Sequence, residues 1–593
     1  KTLTQNSQKC ILLEELRNNC ETIRQSLPEI IEWAKESDFK DLQANGYWTY
    51  VKIVEKFIDL VEDSIRNENS KPFDHKLVKV SRVLLVYLDT VCKTREAAEI
   101  DFNFNTKKLF APFPEYLTKY FNDYFAEDHW SDVQTIYGHF SCFWLCRSLS
   151  FLLNIFTLLT AIVSKFPESL CALWDRDYRG KTLLETMRNA NTDFPFSMWA
   201  ITEWRIHTKL LVPLFNIGSG LRTSTVFIPR QKTWIIPEWS KGRVQRKYFA
   251  EYQSRGKGVR CRLLQHRTKS QNDTLVLHMH GGGFITQSPD SHEMYLRHWA
   301  SNISGVPILS VDYTLNVKYP IALQEVLDVY LWCVSGNPNV KKLLGFNPTK
   351  IVLCGDSAGG LLGITLCAVL HDIRKIYERN HENVNLLFPS SFVGIYTTFN
   401  FHHLTPSLLL SLIEPVVATG PLLACAGLYT LGVRYDEDFA ELEKEFENKE
   451  IPDSSISGLW LSKSRAFHKL MEVARKISRS VFGQKSAWYR CDIEKFEQRL
   501  AHIFRIAQHP YINAMNTDLI ESLENMSVFL ITSHYDVLLD NNVEFAKTWK
   551  GEITLDVVDG LSHGFLHWCF LSREAQKASD ICLKRLQQAI GFY

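Results

Sequence analysis

The sequence predicts an α/β protein: a mostly parallel sheet with helices on both faces, preceded by a mainly helical region. Three observations carry this. From about residue 241 onward, apolar runs of strand length alternate with helix-spaced patterns, and an unbroken apolar run is what a strand buried on both faces requires. Glycine clusters follow two of these runs, and in such sheets functional groups gather at the carboxyl ends of the strands. Residues 1–240, by contrast, have few glycines and repeat their apolar side chains at helical spacing.

In chain order, Val51, Val54, Phe57, Ile58, Val61 and Ile65 form one helical stripe, and Leu77, Val80, Val83, Leu84 and Leu88 form another. A helical bundle packed on the sheet domain is the simplest arrangement for 1–240. Residues 148–163 lack charge, but the segment is short, contains Asn154 and is bounded by Arg147 and Lys165. It reads as a buried or lipid-facing helix, with a membrane span as the alternative, since a span needs about 20 apolar residues. Strands are expected at 274–279, 307–312, 350–354, 392–397, 527–532 and 553–558. A long insertion parts the fourth from the fifth, which divides the chain into 1–240, 241–398, an inserted module at 399–507, and 508–593. Residues 404–433 are apolar but interrupted by Pro406, Pro415 and Pro421, so they line an acyl tunnel, touch lipid or fill ordinary core.

Composition narrows the function. Lys and Arg number 67 against 66 Asp and Glu, a net charge of +1, which gives no bulk electrostatic case for nucleic acid or an anionic membrane. The 14 cysteines form no CxxC pair or framework and read as reduced thiols of a cytosolic protein; residues 1–9 are polar and do not look like a signal peptide. No metal-ligand spacing is present, and no organic cofactor is called for.

The chemistry concentrates in two motifs. Gly355-Asp356-Ser357-Ala358-Gly359 follows the 350–354 run and fits G-x-S-x-G, a sharp strand-to-helix turn that exposes the serine hydroxyl while the glycines keep side chains out of the corner. His280-Gly281-Gly282-Gly283-Phe284 follows the 274–279 run. Here the backbone passes close to a reacting group, so the amides of Gly281 and Gly282, with that of Ala358, are expected to form an oxyanion hole. A phosphate loop would need a Gly-Lys-Ser/Thr or G-x-G-x-x-G continuation, and neither is there. An acid and a histidine must follow the serine in that order. Asp536 stands after one late strand and His563 after the next; Asp540 is the fallback acid, and His567 reads as a polar helix-face residue.

These motifs resemble the hormone-sensitive lipase branch of the α/β-hydrolases, in its animal form. Ser291-His292-Glu293, Tyr295-Leu296, Pro406-Ser407, Glu414-Pro415 and Asp559 through Leu566 add to the resemblance, as do Arg179-Gly180, Trp199, Thr202 and Glu203 upstream. It implies an α/β-hydrolase fold with a helical N-terminal domain, Asp536 as acid and His563 as base, and neutral lipid esters as substrates. It further implies a homodimer, a lipid-droplet surface as workplace, and a cytoplasmic, peripheral location. The chain departs from the family at Asn316-Val317-Lys318-Tyr319-Pro320, where the segment is shorter and Lys318 replaces an acidic residue. The insertion has an acidic stretch (434–450) and a basic one (463–490), a pattern usual in solvated helix faces. Within the latter, Arg475-Lys476-Ile477-Ser478 fits the substrate pattern of cyclic-AMP-dependent kinase. Rival readings are a soluble carboxylesterase, a relative of arylacetamide deacetylase, and a catalytically silent lipid-droplet scaffold.

Overall fold

The computed structural model describes residues 2–67, 74–100, 127–140, 142–164, 168–188, 199, 220–231, 258–267, 273–379, 386–400, 405–431, 506–507, 509–515, 520–521 and 523–592. Ser478, the charged stretches of the insertion, and Thr202 and Glu203 lie outside them.

Among the described residues six helices lead: α1 (Thr2–Ser37), α2 (Gly46–Arg66), α3 (Lys76–Ile100), α4 (Glu127–His139), α5 (Arg147–Ser164) and α6 (Arg176–Arg188). The two stripes read from the sequence turn inward: Val54, Phe57, Val83 and Leu84 are buried, whereas Ile65 at the end of α2 is exposed. Asn45 caps α2, its side chain accepting from the amides of Tyr47 and Trp48. Helix α5 buries Leu149, Leu153 and Ala161 and turns Phe151, Ile155 and Leu159 outward. Among the described residues no helix is long and apolar enough to cross a membrane.

The remainder forms one eight-stranded sheet. Its strands are β1 (Leu221–Ile228), β2 (Val259–His266), β3 (Thr274–Met279), β4 (Ile308–Asp312), β5 (Lys350–Asp356), β6 (Ser391–Ile395), β7 (Ser527–Tyr535) and β8 (Ile553–Ser562). Their spatial order is β1-β2-β4-β3-β5-β6-β7-β8; β2 runs antiparallel to both neighbours and the strands from β4 to β8 are parallel. The helices of this part are α7 (Pro289–Ser301), α8 (Ile321–Val334), α9 (Pro338–Leu344), α10 (Ala358–Arg379), α11 (Thr419–Leu431), α12 (Leu539–Thr548) and α13 (Arg573–Ile590).

All six expected strands are present, and two more precede them. Strand β1 falls inside the stretch expected to be mainly helical, so the sheet begins upstream of residue 241. Strands β1 and β2 lack the apolar run of a central strand for a chemical reason. Strand β1 is a half-exposed edge with Arg222, Thr223, Ser224 and Thr225, and β2 carries Arg260 and Arg262 within it. Those arginines are ion-paired, Arg260 to Asp290 at 2.6 Å and to Asp312, and Arg262 to Glu293. Charged pairs of this kind break the apolar run that marks the central strands.

The sheet separates two cores, and the two-residue period of a strand assigns each side chain to one. Leu275, Leu277 and Met279 of β3, with Ile351 and Leu353 of β5, face α8 and α10. Val276 and Val352 face the other way, into a core shared with Trp299, Leu586 and the N-terminal residues Tyr50, Val54 and Val83. The N-terminal helices therefore close one face of the sheet with a continuous apolar interior. Each fully buried Val or Leu there contributes about 1.5–3 kcal/mol. In 404–433, a 3-10 turn (Ser407–Leu412) precedes α11, and Leu409, Leu410, Leu412 and Ile413 are buried in that same core.

Candidate active site

Strand β5 ends at Asp356 and α10 begins at Ala358, so Ser357 alone makes the turn. Its φ of +51° is the left-handed conformation a side chain seldom adopts. The flanking glycines are required by space. A Cβ on Gly355 would lie 2.6 Å from the Gly359 backbone, and one on Gly359 would lie 2.1 Å from the Met279 carbonyl oxygen. The serine amide donates to the Ile395 carbonyl at 2.9 Å, which anchors the turn to β6.

Strands β7 and β8 are neighbours, so the loops leaving their carboxyl ends bring Asp536 and His563 side by side. His563 Nε2 is 2.9 Å from Ser357 Oγ, and its Nδ1 is 3.0 Å from Asp536 Oδ1. Asp536 is wholly buried and is held by the Leu538 amide (2.8 Å, to Oδ1) and Thr532 Oγ1 (3.3 Å, to Oδ2). Burial favours the neutral form of His563, but the adjoining Asp536 carboxylate outweighs it and the imidazole is held above its ordinary range. Glu414 adds to that field. It is itself buried, its carboxyl pushed up to about 7 by burial against the opposing pull of the Val417 amide. Asp540, the fallback acid, points elsewhere, to the amides of Gly46 and Ser407.

The glycine loop departs from expectation at one position. The Gly281 amide is committed: it donates to Asp356 Oδ1 at 3.1 Å and to His292 Nε2 at 3.2 Å. It is therefore not available to a reacting oxygen, which corrects its place in the expected oxyanion hole. Gly282 and Gly283, at φ +101° and +62°, turn the chain back, and among the described residues their amides have no hydrogen-bond partner. Gly282, Gly283 and Ala358, the last at the amino end of α10, are the amides left as candidate donors for a reacting oxygen. His280 shapes this loop from behind. Its Nδ1 bonds the Gly281 carbonyl oxygen at 2.8 Å, its ring stacks on Tyr313 at 4.2 Å, and burial holds its pKa low and the ring neutral. The departing segment 316–320 braces the same loop: the Asn316 amide donates to the Phe284 carbonyl at 2.9 Å.

Behind the loop lies a polar cluster the sequence reading passed over. Asp356 Oδ1 also accepts from Tyr295 Oη at 3.1 Å, and His278 links Ser310 to Tyr295. Burial opposes the charge of Asp356, but His292 and His278 beside it hold its carboxyl far below the usual range. His567, expected on a polar helix face, instead sits in a 3-10 turn (Phe565–Trp568) with its ring 5.0 Å from that of His292. Ligand atoms of His292, Asp356 and His567 lie within 4.8 Å of one another, a spacing open to a metal ion. However, the Gly281 N–H lies against both His292 Nε2 and Asp356 Oδ1, so the described geometry serves the glycine loop. Asp356 inside the serine motif, and His292 and Tyr295 among the residues that carry the resemblance, are the sequence signals of this cluster.

Comparison with known proteins agrees with this fold. Residues 276–401 match the family described as the alpha/beta hydrolase fold. Mouse hormone-sensitive lipase is 36% identical over 175 residues, 29% of this chain and 21% of that protein. The human protein is 35% identical over 160 residues, 26% and 13% of the two chains. Esterase LipU of Mycobacterium tuberculosis is 40% identical over 100 residues, 16% and 31%. The matches thus span about a fifth or less of the length of these hormone-sensitive lipases. Fold and relatives together define the class: residues 276–401 carry the α/β-hydrolase fold, and the matched stretches are similar to those of lipases and esterases. Within that class the relatives it is similar to include the mouse and human hormone-sensitive lipases.

Proposed function

We propose that this chain cleaves neutral lipid esters through a Ser357-His563-Asp536 triad and an acyl-enzyme. The observation that carries the reading is the line of hydrogen bonds from Ser357 Oγ through His563 to Asp536, at 2.9 and 3.0 Å. His563 takes the hydroxyl proton as Ser357 attacks the ester carbonyl, and Asp536 stabilises the imidazolium that results. The amides of Gly282, Gly283 and Ala358 receive the charge on the carbonyl oxygen. The imidazolium returns its proton to the departing alcohol, and water releases the acid by the same path in reverse. Ser357→Ala is expected to lower turnover on the order of a million-fold with the fold intact. Fluorophosphonate labelling of the unaltered chain, absent in that variant, is the direct test; an unaltered chain that takes no label sinks the triad.

The family resemblance supports diacylglycerol, triacylglycerol, cholesteryl and retinyl esters as substrates, in intracellular lipid mobilisation. A lipid surface as workplace draws support from α5. Phe151, Ile155 and Leu159 are 65%, 41% and 43% exposed at four-residue spacing, which puts them on one face. Comparing emulsified diacylglycerol with a short soluble ester separates this reading from a soluble carboxylesterase. A homodimer and phosphorylation of Ser478 by cyclic-AMP-dependent kinase belong to the same proposal; sedimentation and mass spectrometry test them.

A further inference from the structure

The N-terminal helices meet the catalytic domain at a buried carboxylate four positions beyond the triad acid. Asp540, in the first turn of α12, is fully buried. Its Oδ1 accepts the Gly46 N–H, at the start of α2, and its Oδ2 accepts the Ser407 N–H, each at 2.7 Å. Ser407 Oγ in turn accepts the Asp540 N–H at 3.1 Å and donates to the Val537 carbonyl at 3.2 Å. Further along α2, Thr49 Oγ1 donates to the His534 carbonyl at 2.6 Å. The segment 534–540, with Asp536 inside it, is thus tied at both ends to the first turn of α2.

The fit leaves no slack. A Cβ at position 46 would lie 2.1 Å from the Ser407 nitrogen and 2.7 Å from Asp540 Oδ2. Two N–H donors converge on the two carboxylate oxygens, and the positive end of the α2 dipole favours the anion. Burial pushes the Asp540 carboxyl up to about 6, with the two amides holding it down. An apolar contact would join helix to loop without burying a charge, so the choice of a carboxylate here points to fixed geometry.

We propose that Asp540 is a positioning residue: with the first turn of α2 it holds the 534–540 loop so that Asp536 stays in line with His563. The N-terminal helices are then a working part of the catalytic site. This rests on the triad reading above. The test uses the full chain with Asp540→Asn and, separately, Gly46→Ala. An asparagine offers one acceptor to two donors, and the alanine methyl enters the contact from the α2 side. Turnover of a p-nitrophenyl ester is measured per active site, titrated with a fluorophosphonate, across pH 5 to 9 (roughly the range in which histidine titrates). Both variants lower kcat on the order of 100-fold with KM little changed, as a misplacement of about 1 Å does. Both also move the acid limb of the profile to lower pH, because His563 loses part of its carboxylate support. A purely structural role lowers the number of titratable sites and the melting temperature but leaves the per-site profile in place, and that result overturns the proposal. An unchanged profile in Gly46→Ala alone removes α2 from it. If Asp540→Asn yields no folded protein, the near-isosteric Thr49→Val tests the other end of the loop by the same limb shift. Persistent turnover in Ser357→Ala marks failure of the triad instead.

Discussion

Replacing Asp536 with asparagine isolates the charge of the proposed triad acid from its geometry. In most triads the amide substitution scrambles the histidine tautomer. Here the Leu538 amide donates to Oδ1, the same oxygen that meets His563 Nδ1, while Oδ2 faces the hydroxyl of Thr532, which accepts as readily as it donates. An asparagine therefore settles with its oxygen toward Leu538 and His563 and its NH2 toward Thr532, and the tautomer is kept. What disappears is the attraction between an imidazolium and a carboxylate 3.0 Å apart. At an effective dielectric near 20 that amounts to roughly 5 kcal/mol, or about a thousand- to ten-thousand-fold in kcat. The pH profile carries a second signature. Catalysis needs neutral His563, whose pKa the Asp536 carboxylate holds above the usual histidine range, so activity of the unaltered enzyme falls as pH drops through that raised value. Without the Asp536 charge, burial works against the imidazolium with only the weaker fields of Glu414 and Asp356 opposing it, and the acid limb moves to lower pH. Steady-state hydrolysis of a p-nitrophenyl ester across the titration range reads both effects. A variant that loses less than about ten-fold and keeps its acid limb would refute the assignment of Asp536.

Two other outcomes come from the same geometry. Gly283→Ala forces a methyl to within 2.5 Å of Cys425 Sγ at a φ of +62°, which displaces one of the proposed oxyanion donors. Its kcat is expected to drop about 100- to 1,000-fold, with fluorophosphonate labelling slowed in parallel. Changing Phe151, Ile155 and Leu159 together to serine removes the exposed apolar face of α5. Binding to phosphatidylcholine vesicles in a flotation assay weakens, hydrolysis of a soluble ester is unchanged, and melting shifts little, since each surface substitution alters stability by about 0.5 kcal/mol or less.

The serine turn, the glycine loop and the six central strands could be read along the chain because each is a local demand. Ser357 needs glycine two positions either side for steric reasons that operate within five residues, and a strand buried on both faces must be apolar throughout. For His563 and Asp536, chain order narrowed the choice, leaving Asp540 as a second acid, and the family resemblance pointed to Asp536 and His563. Three features could not be read along the chain. The commitment of the Gly281 amide depends on Asp356 and His292 arriving from two other elements, so no inspection of the glycine run could separate it from Gly282 and Gly283. Strands β1 and β2 carry arginines whose charges are neutralised by Asp290, Asp312 and Glu293, and pairing across space cannot be seen in a linear pattern. The junction of Gly46, Ser407 and Asp540 joins points hundreds of residues apart. Hydrophobic period and backbone sterics are written into neighbouring residues, but hydrogen-bond partnership is settled only when distant segments pack together.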